Sequence, residues 1–232
     1  MLLITLLTFS CKKKDKDNPN PASTANSCVY DFTKSIMTYT TIVSPDGYYN
    51  GYDGSGTDGA ISIPFAFKVC GKAVTQFEAD INDTYFLSSS SEEVFMTYNM
   101  ESANPPYISW KTEGVTGNRI QKIQFQDKIG SADNLNFQIW LFENGNKIEL
   151  HYGINNTRSA GSLLPFLIRR ETATTLQGIA LSGTVIDPNE GIYVGSANSP
   201  VSHCLSNNND PDDYVLKGSI TNGLTYSFIP NN

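Results

Sequence analysis

Histidine is nearly absent from this 232-residue chain: His151 and His203 are the only two. Cysteine is scarce as well, with four, and no two of them form a Cys-x-x-Cys pair. Without paired ligand spacing, a zinc site built from His203, Cys204 and another cysteine is less favoured than an exposed strand histidine beside an ordinary disulfide cysteine. There is no Gly-x-Ser-x-Gly elbow, no His-Glu-x-x-His and no phosphate-binding loop. The serine-hydrolase, zinc-protease and nucleotide-binding signatures are thus all missing. Basic charge is in deficit, with 16 Lys and Arg against 23 Asp and Glu and a net charge of −7. The first 17 residues hold four Lys and two Asp, so the remainder carries −9. That balance argues against nucleic acid and against a basic membrane-binding patch. Long apolar runs are lacking too; the N-terminal one, residues 1–10, is too short to span a bilayer as a helix.

Helical periodicity is almost absent, while Gly, Asn, Ser and Thr are abundant. Period-two alternation takes its place, and the fold expected is a single two-sheet antiparallel β-sandwich, all-β and jelly-roll-like in size, with about twelve strands. Its best-specified part runs from Arg119 to Gly153 and reads as three consecutive strands. Phe137, Ile139 and Leu141 alternate with Gln138, Trp140 and Phe142. Past the turn, Ile148, Leu150 and Tyr152 alternate with Lys147, Glu149 and His151. Asn144-Gly145 suits a type I′ turn, whose two central residues both need positive φ. That loop puts Leu141 opposite Ile148, Ile139 opposite Leu150 and Phe137 opposite Tyr152. A four-residue loop keeps the same inward set, whereas a three-residue loop would set Glu149 against Leu141.

Elsewhere, strands are expected at Val29–Phe32, Ile36–Val43, Ile61–Val69, Val74–Ile81, Tyr85–Leu87, Val94–Tyr98 and Tyr107–Trp110. Pro64 marks the Ile61–Val69 strand as an edge or a bulge. Later strands are expected at Leu163–Ile168, Gly178–Ser182, Ile192–Val194, Tyr214–Leu216 and Leu224–Phe228. Residues 44–60 and 202–214 read as long loops. Asp46, Asn50, Asp53 and Asp58 in the first invite calcium, but their spacing is not that of an EF-hand, and a Gly/Asp turn region is the better reading. Asp210, Asp212 and Asp213 in the second are weak calcium candidates beside the simpler reading of a solvated acidic loop. No cofactor is expected.

At the N-terminus, the apolar residues 1–10 end in Thr8, Phe9 and Ser10, then Cys11, followed by Lys12, Lys13, Lys14, Asp15, Lys16 and Asp17. This resembles a bacterial lipoprotein signal, in which the cysteine is lipidated and becomes the mature N-terminus. The implied division is a signal peptide over 1–10, lipidated Cys11 with a disordered linker over 11–27, and the sandwich over 28–232. The linker composition, Pro, Asn and Ser after charge, leaves nothing to bury. More than one acyl chain on Cys11 would anchor the chain stably to a membrane. The Lys- and Asp-rich segment after the cysteine resembles that of Bacteroidota-type lipoproteins, which implies an outer-membrane lipoprotein of the cell envelope that can be surface-displayed.

Within the body, Pro64-Phe65-Ala66-Phe67, Gly117-Asn118-Arg119-Ile120 leading to Ile123-Gln124-Phe125, the stretch Phe137 to Gly153, and Gly223 to Pro230 together resemble a β-sandwich module of exported and surface proteins in the same bacteria. The resemblance implies architecture and location, and it carries over no catalytic residue. In an exported chain Cys28, Cys70 and Cys204 allow one bridge, and Cys28–Cys204 is the pairing expected because it would tie the start of the domain to its last third.

Two site hypotheses remain. Glu143 and Glu149 flank the central turn, but the register sends them to different series, so they would not converge as a glycosidase pair. Trp140, Phe142, Lys147, Glu149 and His151 share the second face of the hairpin. Such a face can stack on a sugar or seal a protein partner, or it can be covered by another part of the chain. The function expected is a lipid-anchored envelope protein with a non-catalytic sandwich in a binding or structural role, taking a glycan or protein ligand. The alternatives are a surface carbohydrate-binding component and a hydrolase of unrecognised type.

Overall fold

A computed structural model of the chain describes residues 9–10, 30–50, 59–69, 71–79, 84–89, 92–97, 107–126, 136–153, 166–172, 175–182, 184–187, 192–196, 201–206, 214–217 and 221–231. Side chains are described within 30–49, 60–69, 71–77, 107–126, 136–153 and 221–231. Every regular element among the described residues is a β-strand. One sheet has eight strands, in the order β1 (Phe9–Ser10), β2 (Tyr30–Ile36), β18 (Leu224–Pro230), β11 (Ile148–Tyr152), β10 (Asn136–Phe142), β9 (Ile120–Gln126), β8 (Tyr107–Glu113), β3 (Gly47–Asn50). A second has seven: β16 (Val201–Ser206), β13 (Thr175–Ser182), β12 (Phe166–Thr172), β7 (Glu92–Thr97), β6 (Thr84–Ser89), β5 (Lys72–Ala79), β4 (Gly59–Val69). A small third sheet orders β14 (Thr184–Asp187), β15 (Ile192–Ser196) and β17 (Tyr214–Lys217), with β15 and β17 parallel. The two large sheets are antiparallel and unclosed, and they form a β-sandwich.

The alternation read from sequence is what joins them. On the eight-stranded sheet Ile123, Phe125, Phe137, Ile139, Leu141, Ile148, Leu150, Tyr152, Leu224, Tyr226 and Phe228 point inward and are buried. Ile61, Ile63, Phe65, Phe67 and Val69 of β4, with Val74 and Phe77 of β5, meet them in the same core. Phe125 stacks on Phe137 at 4.6 Å, and Phe77 comes to 5.9 Å from Phe125 across the sandwich. The central hairpin has the expected register, with Leu141 opposite Ile148, Ile139 opposite Leu150 and Phe137 opposite Tyr152.

The turn itself differs from expectation. Positive φ falls on Gly145 (78°) and Asn146 (52°), not on Asn144 and Gly145. Phe142 N–H donates to Lys147 O, so Glu143–Asn146 form a four-residue loop. Two- and four-residue loops share parity, which is why the inward set is unchanged. The shift lets the Asn146 side-chain oxygen accept from Lys68 N–H on β4 at 2.8 Å.

That bond belongs to a series along the outer margin of β4. Tyr49 O–H donates to Ala60 O at 2.9 Å, Gln121 Nε2 to Ser62 O at 3.0 Å, and Arg119 Nη1 to Pro64 O at 2.8 Å. A strand with one neighbour presents unpaired backbone groups along its open side. Here side chains of the opposite sheet take them up, so the edge is sealed and the two sheets are stitched together. Pro64 sits in the irregular stretch between Ser62 and Phe67, where β4 also leaves register with β5.

Several expected elements are corrected. Ile36–Val43 is not a strand beyond Ile36; residues 37–46 form an irregular strap. Gly47–Asn50, expected in a loop, is edge strand β3, and Val201–Ser206, whose residues from Ser202 on are expected in the acidic loop, is β16. β14 was not anticipated. Polar and glycine-rich strands of four to six residues lack the apolar alternation that periodicity detects, and only their neighbours in the sheet define them.

Leu141 is fully buried in the core, whereas Val115 is 73% exposed. Leu141→Ala is expected to destabilise by roughly 3 kcal/mol and Val115→Ala by less than about 0.5 kcal/mol, measured by urea denaturation.

Candidate functional site on the outer face of the eight-stranded sheet

The outward positions of β8, β9, β10, β11 and β18 form one polar face that is largely hidden from solvent. Gln124, Gln138, Glu149, His151, Thr225 and Ser227 are all buried. What covers half of it is the strap. It leaves β2 near one edge of the sheet and enters β3 at the other. Six strand spacings amount to about 29 Å at about 4.8 Å each. The eleven steps from Ile36 to Gly47 reach at most about 40 Å, so the strap spans the sheet with length to spare for its irregular course.

Hydrogen bonds to backbone and side chains on both sides hold the strap to the sheet. Met37 N–H donates to Gly223 O, and Tyr39 O–H donates to Asn136 Oδ1 at 2.7 Å. Gln138 Nε2 donates to Thr40 O at 2.8 Å, and Ile42 N–H donates to Gln124 Oε1 at 2.8 Å. Lys111 Nζ reaches Val43 O, and Thr112 N–H donates to the Asp46 carboxylate. Burial pushes the Tyr39 phenol upward, against a smaller lowering from its contact with Gln138. The two glutamines also join each other, Gln138 Nε2 to Gln124 Oε1 at 2.7 Å, and Trp140 Nε1 donates to Gln138 Oε1 at 2.7 Å. Every polar atom of the Gln138 amide therefore has a partner, as a buried amide requires.

The uncovered half carries the residues singled out from sequence. Trp140, Phe142, Lys147, Glu149 and His151 lie together. The strand register sets Trp140 opposite Glu149 and Gln138 opposite His151. Lys122 reaches over the Trp140 ring from β9 at 4.2 Å, and His151 stacks on it from β11 at 3.9 Å. Lys147 Nζ lies 3.8 Å over Phe142. Glu149 accepts from Lys147 Nζ (2.8 Å) and Ser227 Oγ (2.9 Å) on Oε1, and meets His151 Nε2 (2.8 Å) on Oε2. Burial by itself raises the Glu149 carboxyl, but the hydrogen bonds from His151 and Lys147, with the ammonium charge, outweigh it and hold the group at about 2.

Glu143 is held separately. Its Oε2 accepts from Gly117 N–H, Arg119 N–H and Arg119 Nε, and its Oε1 from Arg119 Nη2 at 2.7 Å. The Arg119 hydrogen bonds, foremost the side-chain ones, lower it to about 2. Both carboxylates thus stay ionised and are occupied by separate partners. A general acid in glycoside hydrolysis needs the opposite shift.

Sequence reasoning missed Thr225 and Ser227. Thr225 Oγ1 lies 3.4 Å from His151 Nδ1, which places hydroxyl, imidazole and carboxylate in the order of a nucleophile relay. All three groups are buried, with Thr225 only 1% exposed, so no substrate carbonyl reaches the hydroxyl. The same hydroxyl also sits 3.3 Å from Gly223 O, within the turn that the strap grips. The geometry is that of a packed hydrogen-bond network. Positions 124, 138, 225 and 227 carry uncharged amides and hydroxyls where a solvated face would carry charge, and that was the available signal.

Asp46 is engaged by Thr112, the Asn50 backbone lies in β3, and Asp53 and Asp58 lie outside the described residues. Asp210, Asp212, Asp213, Cys11, Cys28 and Cys70 also lie outside them. For Cys204 and His203 only the backbone, in β16, is described. Among the described residues no group of three or more His, Cys, Asp or Glu is placed to hold a metal ion, and no helix is long and apolar enough to cross a membrane.

Stability is expected to depend on both carboxylates. Their carboxyls sit at about 2 in the fold, below the ordinary 4.5, so the unfolded chain binds more protons between those values. The stabilisation is complete above pH 4.5 and is lost as the pH falls toward 2. Urea midpoints measured across that window should fall steadily, with a shallower slope in Glu149→Gln. Glu149→Ala, which strands His151 and Ser227, should cost about 3 kcal/mol at neutral pH.

Residues 101–209 match a family model described as NIDO related. The matched span starts just before β8 and ends just after β16, a little under half of the chain, and it suggests an extracellular-type β-domain. Neither the curated proteins nor the solved structures contain a match to this chain.

Proposed function

We propose that this chain is a lipid-anchored protein of the cell envelope whose β-sandwich serves a non-catalytic, structural or protein-binding role. The observation that carries the non-catalytic part is the state of the outer face. Its buried polar groups are matched to one another and to the strap, and both central carboxylates are ionised and occupied. A catalytic site keeps groups poised for a reacting atom, with values tuned toward the operating pH. This face is arranged instead for rigidity. The extracellular-type family match supports a location outside the cytoplasm.

The anchor rests on Cys11 and its apolar leader. Three lysines directly follow the cysteine and would lie at the lipid surface. A surface-exposed position in the outer membrane fits the charged segment that follows.

The carbohydrate-binding alternative meets a physical obstacle. Sugar stacking needs an open aromatic face, and the Trp140 indole carries Lys122 from one neighbouring strand and His151 from the other. Its N–H is committed to Gln138. A sugar would have to displace one of these.

Metabolic labelling with a radioactive or clickable fatty acid is the test of the anchor. Label should be incorporated by the native chain and lost in Cys11→Ser, with the protein released to the soluble fraction. Label retained in Cys11→Ser would sink the anchor. A glycan array probed with the purified protein should be negative. Binding that disappears in Trp140→Ala would instead move the reading to a carbohydrate-binding component.

A further inference from the structure

The central loop holds a reactive dipeptide. Asn144 and Gly145 are both exposed at the tip of the β10–β11 hairpin. An Asn-Gly pair can cyclise when the glycine backbone nitrogen reaches the asparagine side-chain carbonyl. A hydrogen-bonded, fixed backbone N–H resists this, because the nitrogen must give up its proton and move. The Gly145 N–H donates to no acceptor among the described residues. A Cβ built on Gly145 would meet no atom of the rest of the protein within 4 Å, so the space beside this glycine is open to solvent. The Asn144 amide makes one contact, Nδ2 to Asn118 Oδ1 at 3.1 Å, which leaves its carbonyl carbon accessible.

The chain carries its own comparison. Asn222–Gly223 is the same dipeptide in another turn, and there Gly223 N–H donates to Tyr152 O at 2.9 Å. Gly223 is buried, Met37 N–H donates to its carbonyl, and Met37 O lies where its Cβ would be. That turn is gripped by the strap on one side and by β11 on the other.

We propose that Asn144 is a site of spontaneous deamidation in the folded protein and that Asn222 is protected. The Gly145 backbone nitrogen loses its proton to solvent base and attacks Cγ of Asn144. The new C–N bond closes a succinimide, and Nδ2 leaves as ammonia. Water then adds at one of the two imide carbonyls and breaks its C–N bond. Opening at one carbonyl gives aspartate; opening at the other gives isoaspartate, with the main chain rerouted through the side-chain carbons. Water is the only co-reactant.

The position makes the reaction consequential. Asn144 directly follows Glu143, whose carboxylate is clamped by Arg119. The acid product adds a second negative charge beside that clamp, and it replaces the Nδ2 donor to Asn118 by a carboxylate facing an amide oxygen. The isoaspartyl product lengthens the loop backbone by one atom. The hairpin tip therefore acts as a covalent clock on the junction between the two sheets.

The test ages the purified full chain at physiological temperature and mildly alkaline pH, then maps peptides by mass spectrometry with an isoaspartyl-specific assay. Asn144 should convert at least about tenfold faster than Asn222 in the folded protein, because opening the Gly223 turn requires local unfolding. In strong denaturant the ratio should collapse toward unity. A folded-state ratio no larger than the denatured-state ratio overturns the proposal, as does an unconverted Asn144 in folded protein whose denatured form reacts.

Discussion

Arg119 is the residue on which the two sheets depend. Its guanidinium and backbone close on Glu143, which pins the tip of the central hairpin to the loop before β9. The same guanidinium donates to Pro64 O and lies 5.3 Å over the Phe65 ring on the opposite sheet. One planar cation with donors on several sides can make a bidentate carboxylate bond, a carbonyl bond and a ring contact at once. A lysine ammonium could not repeat that geometry. Around this point the other stitches along β4 fall into place: Gln121 on Ser62, Tyr49 on Ala60, and Asn146 on Lys68. The edge with the strongest apolar alternation in the chain is thereby made unavailable for pairing with another chain.

The outer face shows the same principle in polar form. A sheet face can be buried under apolar side chains or under groups that satisfy each other, and this protein uses the second solution. Gln124 and Gln138 bind the backbone of the strap much as a neighbouring strand would, with amide donors and acceptors presented from side chains. Beside them the cations of Lys122 and Lys147 lie over Trp140 and Phe142, and Glu149 gathers three donors. Such a network is stable only when every member is paired. That requirement explains why Trp140 and Phe142 are tied to the cations and the imidazole beside them.

Much of the architecture was legible along the chain. The alternation of Phe137, Ile139 and Leu141 with Gln138, Trp140 and Phe142 stated which atoms face the core, and parity preserved that statement even though the positive-φ residues moved from Asn144–Gly145 to Gly145–Asn146. Pro64 correctly marked an edge and an irregular register. The strap was misread because Ile36–Val43 is rich in β-branched residues, which favour extended backbone whether or not a partner strand exists. β16 and β3 were missed for the converse reason: their composition is that of loops, and their strand character comes from the neighbours they pair with.

For the face around Trp140, sequence determined membership and register, since both follow from a side-chain period of two. It also determined that Glu143 and Glu149 do not converge. How much of the face was open could not be read there, because the strap that covers its other half comes from residues about 98 positions away in the chain. Hydrogen bonds between amide side chains and a distant backbone leave no periodic trace. Only the tertiary structure, by carrying the strap across the five strands between β2 and β3 and by stacking Trp140 on His151, decided that Gln138, His151 and Thr225 are interior groups. It likewise decided that of the two Asn-Gly turns that lie wholly within the described residues, one is locked and the other is free.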